Sequence, residues 1–180
     1  MSLLAVQGGA TGTGTVTLLA PVTNTNRTLT LPDVTGTVAL QGGTGVGKVL
    51  QVVTAITAVS AAYATSTPTS RVSLSITPSS ASNKIMLFYN AGDCNTGGST
   101  SATGATSFYR NGSSIRTVTS EVGRGVNGFW FVIAGSFLDS PSSTSAQTYA
   151  VFHFNPNAVG TFTVGDSSMP SVLTAMEIAG

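Results

Sequence analysis

Hydrophobic and polar residues alternate along much of the chain with a period of two, which is typical of a β-strand that buries one face. The alternation is strict at 71–77, where Val72, Leu74 and Ile76 are predicted to point inward and Pro78 ends the strand. No stretch carries a helical period over three turns. Further strands are predicted at 49–59, 83–89, 106–110, 113–118, 129–138, 147–154, 161–164 and 172–178. The pattern predicts an all-β fold, with a jelly-roll β-sandwich over 49–180.

Three details refine this prediction. The segment 83–89 is continuously apolar, which is expected of a strand buried on both faces. Asn111-Gly112 predicts a type I′ hairpin turn, because that turn needs positive φ at both central positions. Gly135 is predicted to mark a bulge or bend in the strand 129–138.

The N-terminal part has a different composition. Residues 8–48 are rich in Gly, Thr, Val and Leu, and the motif Gly-Thr-Val-x-Leu occurs at 14–18 and again at 36–40. This segment has too little apolar mass to fold alone, yet it is β-prone, so we predict an intertwined β-stem ending in a hinge at 42–48. Residues 1–7 form an apolar tip that either frays or anchors the chain through Leu3, Leu4 and Val6.

Composition adds a second argument for self-association. Charged residues are 7% of the chain, against roughly 25% in typical soluble domains. The net charge of +1 provides no field for nucleic acid or an anionic membrane. Much of the surface is therefore expected to be hidden by self-association or covered by hydroxyls and amides. The longest strongly apolar run, 129–134, is too short for membrane insertion.

Candidate enzymatic motifs are weak. The run from Gly42 to Lys48 nearly matches a phosphate-binding P-loop, but Val49 stands where Ser or Thr is required and a β-branched segment comes next instead of a helix. The six carboxylates are scattered singly, and one His and one Cys leave no metal or nucleophile cluster. We expect no enzyme and no cofactor. A carbohydrate-binding or depolymerising protein that uses Asp93 or Asp139 is the alternative from another class.

The order of several short motifs resembles phage tail-fibre and appendage proteins. The pieces span most of 29–178 and include Leu29-Thr30-Leu31-Pro32, Ile76-Thr77-Pro78, Tyr109-Arg110-Asn111-Gly112, Leu138-Asp139-Ser140-Pro141 and Leu173-Thr174-Ala175-Met176-Glu177-Ile178. This resemblance implies a homotrimer with a head similar to tumour-necrosis-factor-like domains. It also implies location in the virion after synthesis in the host cytoplasm, attachment to other virion proteins through the N-terminus, and host adsorption. A capsid-decorating fibre or head protein is the alternative.

Candidate site residues derive from this interpretation. Loops at 92–105, 139–146 and 155–160 are predicted to face a host-surface glycan or protein, although each could be a plain solvated loop. Trp130, His153 and Glu177 are trimer-interface candidates, and Glu177 is otherwise expected at the surface or paired with Arg71 or Lys84. His153 on a three-fold axis would be a metal site, against the bland alternative of a structural histidine. The loop candidates are Asp93, Asn95, Asp139, Asn155 and Asn157.

Overall fold

The computed structural model describes residues 48–122 and 128–180. These residues cover most of the segment predicted to be the β-sandwich head. The predictions for the apolar tip with Leu3, Leu4 and Val6, and for the stem and hinge up to residue 47, lie outside the described residues.

Ten strands make up the described part of the chain. Alternation of apolar and polar residues places the strands well, and the structure adds a short strand that the pattern did not reveal, Ala61–Tyr63. The strands are β1 Val49–Thr57, β2 Ala61–Tyr63, β3 Thr69–Ile76, β4 Lys84–Gly97, β5 Gly104–Arg110, β6 Ser113–Val122, β7 Phe129–Asp139, β8 Gln147–Phe154, β9 Thr161–Val164 and β10 Ser171–Ile178.

Two antiparallel sheets result, which confirms the predicted all-β sandwich. The six-stranded sheet has the order β1-β10-β4-β9-β2, and β7 pairs with the other edge of β4. The four-stranded sheet has the order β3-β8-β5-β6. The first and last strands of the head are therefore neighbours, β1 beside β10, and all pairs are antiparallel.

The core lies between the inner faces of the two sheets. Val72, Leu74 and Ile76 are buried there, as the alternation at 71–77 predicts. β4 and β10 supply alternate residues from the facing sheet. The other large buried apolar side chains are Ile85, Leu87, Tyr89, Phe108, Ile133, Tyr149, Val151, Phe162, Val164 and Leu173.

Two predictions for β4 are wrong. The apolar run 83–89 is not buried on both faces: Ile85 and Leu87 are fully buried, whereas Phe88 on the opposite face is 42% exposed. The predicted loop 92–105 does not begin at residue 92, because β4 continues as far as Gly97. A register shift between Ala91 and Cys94, with Asp93 at φ 51°, lets the strand continue and pair with both β7 and β9.

The turn and glycine predictions differ in outcome. Asn111 and Gly112 both have positive φ, 49° and 83°, between β5 and β6, which confirms the hairpin. The predicted bulge at Gly135 is wrong, because β7 keeps a regular register with β4 from Ile133 to Asp139. Gly135 instead makes room for Val118, whose side chain occupies the space that a Cβ at position 135 would need.

Candidate interaction surface

Outward side chains of β1, β10, β4 and β7 form an apolar surface, which we call the open face. Its residues occupy the even-numbered positions of β1, β10 and β7, and of β4 as far as Asn90, because odd-numbered positions there point into the core. Beyond the register shift in β4 the parity is reversed. The most exposed large apolar members are between 42% and 63% exposed: Leu50, Val52, Ile56, Phe88, Trp130, Val132 and Leu138. Isolated exposed apolar residues are ordinary, but a contiguous surface of this kind indicates a binding surface.

Strand register makes the open face contiguous. Across β1, β10, β4 and β7, directly paired residues form rows perpendicular to the strands. Hydroxyls of Thr54 and Thr174 pair at 3.1 Å in the middle row, so the polar groups there bond each other. The rows are Val52, Met176, Met86 and Leu138; then Thr54, Thr174, Phe88 and Ser136; then Ile56, Val172, Asn90 and Ala134.

A shallow groove of about 460 Å³ lies within the open face. It runs over β4 between β10 and β7, and its lining includes Phe88, Ala134, Ser136, Val172 and Thr174. Its lining is mainly apolar and contains no charged side chain. The face therefore has relief into which a large apolar side chain of a partner can fit.

The outer face of the four-stranded sheet is chemically different. Its exposed positions carry hydroxyls, as at Ser73, Ser75 and Thr148. Tyr109 and Phe152 on this face are half-buried and stack on each other with ring centroids 4.0 Å apart, and Phe154, on the same face of β8, is also half-buried. Water solvates this face well, so of the two outer faces the open face is the one that favours association.

His153 lies inside the sandwich and not at a surface. Its side chain is fully buried, Nε2 is 2.7 Å from the Tyr89 hydroxyl and Nδ1 is 2.9 Å from the Thr106 hydroxyl. Both ring nitrogens therefore have partners within one chain. The trimer-interface and three-fold metal predictions for His153 are wrong, because the sandwich of a single chain encloses the ring. His153 is instead a structural histidine, which was the other alternative.

We expect acid to weaken the fold through His153. Burial, together with the positive charge of Arg71, lowers the pKa of His153 to about 3. The unfolded chain then binds more protons than the folded chain between pH 6.5 and about 3, so stability is full above pH 6.5 and falls as the pH drops through this window. Chemical denaturation between pH 6.5 and 5 should give a slope of roughly 1 kcal/mol per pH unit. A His153→Gln variant that kept the same slope in this interval would contradict the assignment.

Glu177 is also buried, at 1% exposed, so the expectation of a surface or trimer-interface carboxylate is wrong. Its Oε1 accepts hydrogen bonds from the Ser79 amide at 2.7 Å and from Asn83 Nδ2 at 2.5 Å, and its Oε2 accepts one from Gln51 Nε2 at 2.6 Å. These donors are neutral, so neither predicted partner, Arg71 nor Lys84, forms an ion pair with it. Burial would raise the pKa of Glu177, but the hydrogen bonds outweigh it and lower the pKa.

Two of the loop candidates are structural. Asp139 is the last residue of β7, is 7% exposed, and accepts hydrogen bonds from Arg110 Nη1 at 2.7 Å and from the Tyr149 hydroxyl at 2.5 Å. Asn155 is fully buried and donates to the backbone oxygen of Val159 at 2.9 Å. Neither side chain is available to a receptor, because each is used to hold the chain at a strand end.

The remaining candidates stay accessible to different degrees. Asn157 is exposed in the loop between β8 and β9, while Asp93 and Asn95 are half-buried within β4. Asp93 lies against Asp166, whose carboxylate Oδ1 accepts the amides of Ser168 and Met169 at 2.7 Å. Burial and the neighbouring Asp166 raise the pKa of Asp93.

Other chemistry is sparse in the described part of the chain. No group of three or more His, Cys, Asp or Glu residues that could hold a metal occurs among residues 48–122 and 128–180. Cys94 is fully buried, and burial raises the pKa of its thiol to about 11, which is unsuited to a nucleophile. Within the same ranges no helix is long and apolar enough to cross a membrane.

The sequence left open which face of its strand Trp130 occupies and named it only as an interface candidate, and it did not indicate most of the open face. Trp130 is 60% exposed. The missed positions, such as Val52, Met86 and Met176, carried a signal nonetheless. Apolar residues occur at both parities of 84–89 and 172–178, and that pattern indicates two apolar faces, of which only one belongs to the core of a single chain.

Comparison of the sequence with protein-family models and with curated protein sequences finds no match. Among solved structures, the fold is similar to the infectious bursal disease virus VP2 subviral particle, with TM-score 0.43, 12% identity and 72% of this chain covered. It is also similar to the Gx and Gt strains of infectious bursal disease virus, with TM-scores 0.42 and 0.41, identities 12% and 11%, and coverage of 72% and 81%. The match spans 37%, 32% and 42% of those chains respectively, so this chain corresponds to less than half of each.

Proposed function

We propose that this chain is a structural protein of a phage virion, a short homotrimeric tail fibre used in host adsorption. The observation that carries the proposal is the open face. A contiguous apolar surface across four paired strands, on a chain with only 7% charged residues, favours a protein that works inside an assembly. The nested pairing, with β1 beside β10 and β3 beside β8, supports the jelly-roll assignment of the head.

Binding rather than catalysis is the proposed activity. Asp139 is held by Arg110 and Tyr149, and the register places Asp93 eight positions further along β4 than the partner of Asp139, a separation of roughly 25 Å. Glycosidase carboxyl pairs lie about 5 to 10 Å apart, so these two acids do not form one. Contacts to a host glycan or protein would come from exposed loop residues such as Asn157, with weak affinity multiplied by copy number.

Labelling of intact particles tests the proposal. A full-length chain tagged at the exposed loop around Asn157 and incorporated into particles should place gold label at the tail in negative-stain micrographs. Label at the capsid would favour the capsid-decorating alternative, and particles that never carry the protein would refute a virion role. Release of reducing sugar from host polysaccharide by the purified protein would instead favour the depolymerase.

A further inference from the structure

We infer that the open face is the surface through which copies of this chain bind each other. The inference rests on the proposed homotrimer and assigns its contact surface: β1, β10, β4 and β7 of the six-stranded sheet. The occupant is a second copy of this chain.

The open face is uncharged across its three rows. None of the twelve side chains in the three rows of the open face is charged, and Lys84 lies at the edge, one row beyond Met86. Around a three-fold axis, one part of this face would meet a different, equally uncharged part of the next copy's face, without like-charge repulsion and without leaving a buried charge unpaired. Nothing in these rows selects a partner of opposite charge, and a second copy of this chain presents the same uncharged rows.

The open face is large enough to form the centre of an interface. Four strands spaced by about 4.8 Å and some seven residues of about 3.3 Å give a patch of roughly 19 by 23 Å in projection. Its projected area, roughly 440 Å², is about half of the ~800 Å² per partner of a standard interface, so the open face would form the apolar centre of the contact and flanking residues would complete it. The middle row with Phe88 would lie at the centre of such a contact, flanked on one side by the apolar row of Val52, Met176, Met86 and Leu138.

The open face has both a groove and protruding side chains. The groove beside Phe88 and the protruding apolar side chains lie on the same face, so one copy supplies both the cavity and the side chains that can fill it. The opposite outer face instead exposes the hydroxyls of Ser73, Ser75 and Thr148. Association through the open face therefore buries the apolar sheet and leaves the hydroxyl-lined sheet in water.

Thiol cross-linking tests this directly. Cys94 is the one cysteine of the chain and is fully buried, so an introduced surface cysteine reports contact with another copy alone. Ser136→Cys places a thiol in the groove of the open face, and Ser75→Cys is the matched exposed serine on the other sheet. With a short bis-maleimide, the full-length Ser136→Cys protein should give a band at twice the chain mass of 18.1 kDa. Ser75→Cys should give at least tenfold less.

A second substitution tests whether the cross-link depends on the open face or on a contact made elsewhere in the chain. Phe88→Glu in the Ser136→Cys background should reduce the cross-linked band at least tenfold, while circular dichroism stays that of a β-sandwich, because Phe88 is 42% exposed in the single chain. If that variant does not fold, Val52→Glu, at a position 54% exposed, makes the same test.

Equal cross-linking of Ser136→Cys and Ser75→Cys, or cross-linking that survives both glutamate changes, would overturn the inference. A folded wild-type monomer at micromolar concentration would overturn it as well. These outcomes are distinct from failure of the proposed function. Particles labelled at the tail without Ser136→Cys cross-linking refute the interface alone, whereas cross-linking without any labelled particle refutes the virion role alone.

Discussion

Replacing Glu177 by Leu should destabilise the head by about 1–3 kcal/mol, because it removes the shared acceptor of the buried Asn83 amide and of two part-buried donors. Gln51 Nε2, the Ser79 amide and Asn83 Nδ2 all donate to this carboxylate, and they come from two segments, β1 and the connection between β3 and β4. A buried donor that loses its partner costs roughly 1–3 kcal/mol. Urea denaturation at pH 7 is the measurement.

Glu177→Gln is the matched control. It keeps the shape and one oxygen acceptor, so it should cost clearly less than Glu177→Leu. The pKa of Glu177 is lowered, so its contribution is present above the unfolded value near 4.5 and is lost as the pH falls through the folded pKa. Glu177→Gln should lack this acid loss. Equal stability of the Leu variant and the wild type would show that the hydrogen bonds contribute nothing net.

Replacing Phe162 by Ala should cost about 3–5 kcal/mol, the range for a buried aromatic residue cut to a methyl group. Phe162 is fully buried, with its ring centroid 6.0 Å from that of Tyr63, 5.5 Å from that of His153 and 6.1 Å from that of Phe131. Thermal and urea unfolding measure the loss. Val159→Ala, at a position 42% exposed, is the control and should change stability by less than about 0.5 kcal/mol.

A double-mutant cycle makes the Phe162 prediction sharper. A Cβ at Gly104 would lie 2.6 Å from the Phe162 ring, so Gly104→Ala should be destabilising in the wild type. In the Phe162→Ala background the space is free, and Gly104→Ala should cost much less. Additive effects of the two changes would mean that the ring does not occupy the space beside Gly104.

Asp139 and Asn155 illustrate why site prediction from the sequence fell short. Both look like loop polar residues, since each borders a stretch rich in Ser, Asn or Pro. Their roles depend on partners such as Arg110, which lies 29 positions from Asp139 in the sequence and reaches it across the sandwich. Local composition carries no information about such a partner, so the buried role could not be read from the sequence.

For His153, the sequence predicted the face of the strand correctly but not what that face contacts. Alternation around 149–154 separates His153 from Ala150, Phe152 and Phe154 and correctly places it on the other face. That the face is the interior of one chain, and not an interface of three, is decided by Tyr89 and Thr106, which arrive from different strands to satisfy both ring nitrogens.

Strand positions, the Asn111-Gly112 hairpin and the all-β class are determined by local chemistry: a period of two, β-branched residues and one turn that needs positive φ. Local chemistry does not determine which of two apolar faces forms the core, because alternation shows only whether the two faces of a strand differ in polarity. At 84–89 both faces are apolar, and packing of β4 against the second sheet covers Ile85 and Leu87 but leaves Met86 half-buried and Phe88 exposed. Tertiary packing alone distinguished the face that folds the chain from the face proposed to join one copy to the next.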